Sequence, residues 1–137
     1  MSRRLELRAE LADIARLNDW LKDRFDEAGL PPERAGPVKL SLNEAVTNTI
    51  THGYPEPESD GEIAVELDIG EDIITALVVD DAIAFNPLDV PEARKIESLE
   101  TAQIGGFGVK LMREMSSGMA YERIDGRNRL SMTFPRG

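Results

Sequence analysis

The sequence predicts an α+β fold, a two-layer sandwich whose mostly antiparallel mixed sheet is covered on one face by three helices. Three observations carry this. Two pairs of short apolar segments are each joined by a tight turn, as β-hairpins require. Three other segments repeat apolar residues at steps of three and four, the helical period. The order is strand, helix, helix, two strands, a long loop, helix, two strands, so neighbouring strands pair as hairpins and the helices gather on one side. The 137 residues contain no internal repeat and no linker, and residues 1–137 read as a single domain.

Each element follows from its residues. Arg3 to Arg8 alternates, with Leu5 and Leu7 on one side, and reads as a short strand. From Glu10 to Ala28 the stripe Leu11, Ile14, Leu17, Leu21 and Phe25 makes an amphipathic helix closed by Gly29. Trp20 falls off this stripe and reads as a half-buried flank. LPPERAGP reads as a breaker, so the second helix is expected from Pro37 to His52, stopped by Gly53 and Pro55. On it Val38, Leu42, Ala45, Val46 and Thr49 share one arc, while Glu44 and Asn48 share another. Ile63, Val65, Leu67 and Ile69 alternate with polar residues, and IITALVVD follows after the turn Glu71-Asp72 as a more central strand. The stretch from Asp80 to Gly108 is long and mixed, with a short helix expected around Pro91 to Glu97. A third helix begins just after Gly108. Met119-Tyr121-Arg123 and Leu130-Met132-Phe134 form the last hairpin around Asp125-Gly126.

Composition narrows the function. Apolar residues make up 41% of the chain, enough to fold, and 16 basic residues face 26 acidic ones for a net charge of −10. That balance argues against direct nucleic-acid binding and against an anionic membrane surface. There is no cysteine, which excludes disulfides and thiolate zinc sites. The N-terminus MSRRLELRAE lacks the apolar core of a signal peptide, and no apolar run reaches membrane-spanning length, so a cytoplasmic protein is expected.

Three constellations could carry chemistry. Glu44 and Asn48 lie one helical turn apart on the same side. An amide oxygen there can serve Mg2+, which keeps waters and phosphates as its other ligands, and the carboxylate can take a proton. E-x-x-x-N alone fits a solvated helix edge equally well. Asp80 ends an apolar strand, where a carboxylate can accept a hydrogen bond from an amino group, or simply form a turn. Gly105, Gly106 and Gly108 precede a helix, where backbone amides can approach a phosphate, or where the chain simply hinges.

In this order and spacing the three resemble the N, G1 and G2 boxes of the GHKL ATPase superfamily, whose fold is the Bergerat sandwich. NEAVTNTITHGY is similar to the N box of the bacterial anti-sigma-factor serine/threonine kinases, DDAIAFNPLDVPEA falls where their G1 box lies, and GGFGVKLMREMSSGMAYERIDGRNRLSMTF resembles their G2 box and final hairpin. The resemblance implies ATP and Mg2+ as cofactors, with Asn48 as metal ligand and Glu44 as general base. It makes Asp80 the acceptor of the adenine amino group and puts Gly105, Gly106 and Gly108 in the ATP lid. Asn128 stands where relatives often carry a threonine near the nucleotide, and His52 becomes a packing or hydrogen-bonding residue. The G1 pattern D-x-G-x-G departs here, since Ala82 and Ala84 replace both glycines; if those positions need positive φ, the loop must reshape.

The implied activity is phosphorylation of a STAS-domain anti-anti-sigma factor, with sequestration of a sigma factor or equivalent regulator in a partner switch, by a homodimer. Two alternatives stand beside it: a binding module with a degraded nucleotide site, and a histidine-kinase-type catalytic domain. Against the latter, the chain begins directly in the domain without a preceding dimerisation helix pair.

Overall fold

The computed structural model describes residues 2–54, 61–86 and 106–137. Five strands form one sheet: β1 (Ser2–Arg8), β2 (Glu62–Ile69), β3 (Ile73–Asp80), β4 (Gly118–Ile124) and β5 (Arg127–Pro135). Their spatial order is β1-β2-β3-β5-β4. Every pair is antiparallel, so the sheet is not mixed among the described residues. The β4–β5 turn places Asp125 at φ 52° and Gly126 at φ 75°. Two consecutive left-handed residues match the twist of the flanking strands, which is why Asp-Gly sits there.

The helices are α1 (Ile14–Ala28), entered through a 3-10 turn at Leu11–Asp13, α2 (Pro32–His52) and α3 (Gly106–Met115). Helix α1 buries Leu17, Leu21 and Phe25. It ends at Gly29, φ 63°, whose N–H donates to Asp26 O while Leu30 N–H donates to Phe25 O. The buried Leu30 completes this Schellman closure. Trp20 lies half-buried on the flank with the Arg24 guanidinium 5.6 Å from its ring centre.

Helix α2 begins five residues before the predicted start. Pro32 occupies the first helical position, where its missing N–H costs nothing and its fixed φ suits the helix. Pro37 lies inside and removes a single bond in the second turn. Prolines that read as a breaker thus open the helix. Helix α3 likewise takes Gly106 and Gly108 into its first turn rather than starting after them. The short helix expected at Pro91 to Glu97 lies outside the described residues, as does Gly105.

The core lies between the sheet and the helices, with Leu21, Leu42, Val65, Ile74, Met112, Met132 and Phe134 almost wholly excluded from water. Arg136 ties the far end together: its guanidinium donates to Gly70 O at 2.8 Å and to Ala28 O at 3.0 Å. That joins the β2–β3 turn to the last carbonyls of α1.

Candidate functional site

Sheet register builds the site. One row across the helix-facing side runs Leu7, Ile63, Asp80, Asn128, Arg123, pairing strand by strand. The row begins apolar and ends polar. Its polar half lies under the C-terminal half of α2 and beside α3. There a narrow cleft opens, lined among others by Asn48, Thr49, Asp80, Ile83, Phe85 and Asn128. Val78, Leu130 and Met112 supply an apolar floor. A cleft with apolar walls and few polar groups is the usual form of a small-molecule site.

Asp80 is only 4% exposed. Its Oδ1 accepts from Asn128 Nδ2 at 2.9 Å and from the Ala82 N–H at 3.0 Å. Its Oδ2 has one long contact, 3.4 Å from Thr49 Oγ1, and that hydroxyl also donates to Ala45 O at 3.1 Å. Burial pushes the Asp80 carboxyl above the ordinary aspartate range, the bonds from Asn128, Ala82 and Thr49 pull it back, and the neighbouring Asp81 charge pushes it up again. Asp81 points the other way. It accepts from the Tyr54 hydroxyl at 2.7 Å and from the Glu62 N–H at 3.1 Å. Burial, that hydrogen bond and the two aspartates hold the Tyr54 phenol far above its usual range, so it stays a donor.

Asn48 lines the cleft, and its Nδ2 is buried without a hydrogen-bond partner among the described residues. A buried polar atom left unmet is uncommon, and in a cleft wall it is available to a ligand or an ordered water. The amide offers an oxygen to a hard cation and an N–H to an anionic oxygen, which fits Mg2+ shared with phosphates. Among the described residues no group of three or more His, Asp or Glu side chains gathers around a possible ion, and Mg2+ needs no such cage when phosphates and water complete its shell. Glu44 is half-buried one turn earlier on α2 and is not part of the cleft lining. His52 is exposed, which is against the packing half of its expected packing or hydrogen-bonding role. Gly106 and Gly108 stand at the start of α3, where backbone N–H groups are unsatisfied and the helix dipole favours anions.

The loop after β3 accommodates its alanines without strain. Among the described residues Asp125 is the only non-glycine with positive φ, so neither Ala82 nor Ala84 needs the left-handed region. Space for the Ala82 methyl comes from Gly53, since a Cβ there would meet Ala82 Cβ at 2.7 Å and Thr49 O at 2.6 Å. A bond from the Ile83 N–H to Gly53 O, 3.0 Å, fixes the approach. Gly53→Ala should therefore destabilise the fold by about 1–3 kcal/mol. Adding Ala82→Gly should recover only part of that loss, because the clash with Thr49 O remains. Urea midpoints of the three proteins check both statements.

Thr49, Tyr121, Arg123 and Phe85 surround the site although the sequence reading did not assign them to it. For two of them a signal exists. The turn Asp125-Gly126 pairs Ile124 with Arg127, and hence Arg123 with Asn128. The alternation Met119-Tyr121-Arg123 then puts Tyr121 on the same face.

Residues 7–134 match the family model described as the histidine kinase-like ATPase domain. The chain is 30% identical over 96 residues to the serine/threonine-protein kinase BtrW of Bordetella bronchiseptica, covering 70% of this chain and 67% of that protein. It is 29% identical over 89 residues to an anti-sigma F factor of Clostridium beijerinckii, covering 65% of this chain and 62% of that protein. Its fold is similar to that of a solved Mycobacterium tuberculosis chain holding the RsbU and RsbW domains of Rv1364c, with a TM-score of 0.69 and 16% identity, over 98% of this chain and 32% of that one. No helix among the described residues is long and apolar enough to cross a membrane.

Proposed function

The chain belongs to the histidine kinase-like ATPase domain family, and from that premise we propose that it is an anti-sigma-factor serine/threonine kinase that binds ATP and Mg2+ in the cleft beneath α2. Its substrate would be a serine or threonine of a STAS-domain anti-anti-sigma factor, and its second partner a sigma factor or equivalent regulator. The kinase and anti-sigma names of its relatives support this reading. The observation that carries it is the pairing, in one cleft, of a buried carboxylate at the end of β3 with an asparagine whose buried Nδ2 has no partner among the described residues.

In this reading the residues divide the work. Asp80 accepts the amino group of adenine through Oδ2, and the apolar floor receives the ring. Asn48 holds the metal. Gly105, Gly106 and Gly108 turn backbone amides toward the phosphates, and Glu44 takes the proton of the attacking hydroxyl. Bound Mg2+ would neutralise phosphate charge and polarise the transferred group, so that catalysis is mainly positioning and charge stabilisation. Residues 1–137 act as one domain, working as a homodimer in the cytoplasm.

The test is direct. Incubation with ATP, Mg2+ and a STAS-domain protein should add one phosphate to that protein, read by intact mass. An unchanged mass, together with no heat on titrating ATP, would instead favour a module acting by protein contacts alone. An acid-labile phosphate would favour histidine phosphorylation.

A further inference from the structure

Asn128 is the hub of the cleft wall, and all its polar capacity is used by the protein. Its Nδ2 donates to Asp80 Oδ1 at 2.9 Å and to Ile83 O at 2.8 Å, which accounts for both N–H groups. Its Oδ1 accepts from the Tyr121 hydroxyl, from Arg123 Nη1 at 3.0 Å and from the Phe85 N–H at 3.3 Å. The side chain is 5% exposed. Nothing remains with which it could bond a base.

The bonds it makes converge on the loop that lacks the family's glycines. Ala82 is held twice, by its N–H on Asp80 Oδ1 at 3.0 Å and by Arg123 Nη1 on its carbonyl at 2.9 Å. Ile83 and Phe85 are held by Asn128 itself. Asp80 Oδ1 is saturated by two donors, and Oδ2 is the carboxylate atom left to a ligand.

We infer that Asn128, seconded by Arg123, is a positioning residue: it fixes Asp80 and the Ala82–Phe85 loop so that one carboxylate oxygen alone faces the cleft, and it acts on nucleotide selection only through Asp80. This rests on the nucleotide reading above. The brace itself does not, because each of its bonds joins residues of this chain. A buried network with every member satisfied specifies one geometry and loses it when one member goes.

Two measurements test the brace, on wild type, Asn128→Ala and Arg123→Met. The second variant keeps an apolar stem at the sheet edge and remains informative if the first fails to fold. In the nucleotide-free protein, hydrogen exchange at the Ala82 and Phe85 amides should accelerate at least about tenfold in both variants, with the amides of β2 unchanged. Unchanged exchange at both amides overturns the brace. Binding of ATP is then compared with binding of inosine triphosphate, which carries a carbonyl where adenine carries its amino group. Wild type should prefer ATP, and the preference should shrink by about tenfold in Asn128→Ala while inosine triphosphate affinity stays near wild type. Parallel loss of both affinities overturns the action through Asp80. Wild-type protein that binds neither nucleotide overturns the nucleotide reading, and the exchange measurement then decides the brace alone.

Discussion

Asp80→Asn is expected to weaken ATP binding by at least about 100-fold while leaving the fold as stable as wild type, or more so, at neutral pH. The two effects separate because the two carboxylate oxygens have different work. An amide oxygen can replace Oδ1 and still accept from Asn128 and from the Ala82 N–H. The amide nitrogen replaces Oδ2, turning the acceptor proposed to meet the adenine amino group into a donor. Stability follows from the buried charge. The Asp80 carboxyl lies above its unfolded value, chiefly through desolvation. The folded state therefore holds that proton to higher pH than the unfolded chain does. Wild-type stability falls as pH rises from the ordinary aspartate range through the raised folded value, and the penalty is complete above it. The substitution removes that slope. Calorimetric ATP titration and thermal melts across a pH series read the two outcomes. Normal ATP affinity in the variant would remove Asp80 from the nucleotide site.

Glu44→Ala should lower phosphate transfer to a STAS-domain acceptor by about 10²–10⁴-fold, the range of a lost general base. ATP affinity should stay near wild type, because Glu44 does not line the cleft proposed to take the nucleotide. The helix places it one turn before Asn48. Single-turnover transfer with radiolabelled ATP, beside an equilibrium binding measurement, separates the two effects. Full transfer by the variant would exclude Glu44 as the base.

The elements most legible from sequence are those whose pattern meets no competing signal. The alternation of Ile63, Val65 and Leu67 and the apolar run of β3 appear as strands with the expected bounds, and the Asp125-Gly126 turn closes the last hairpin as read. Legibility fails where one residue type has two uses. Pro32 opens a helix and Pro37 is tolerated inside it, yet Pro32 reads as part of a breaker and Pro37 as the start of the helix. Gly106 and Gly108 read as a flexible approach and instead form a helical turn. Ala82 and Ala84 raised the question of strain, and the answer lay about thirty residues away in Gly53, a compensation that local pattern does not reveal. Of the candidate site, Asp80 and Asn48 could be singled out because a strand end and a helical turn are local facts. Asn128 is reached from sequence only through the family resemblance, and its meeting with Asp80 and Arg123 depends on strand register across β3, β5 and β4.

The position of Asp80 and Asn128 has a consequence for how the molecule is made. Each hairpin, β2–β3 and β4–β5, closes over a short turn and can form early, whereas Asp80 meets Asn128 across 48 residues of chain. Closing so long a loop is the slow step in joining sheets. The cleft wall thus lies at the seam between the two hairpins, and it cannot exist until β3 and β5 pair. Until the seam closes, Ile74, Ala76 and Val78 of β3 lie along an unpaired edge rich in β-formers, the kind that templates aggregation. A small molecule that grips both sides of the seam would act on yield during synthesis as well as on the finished protein.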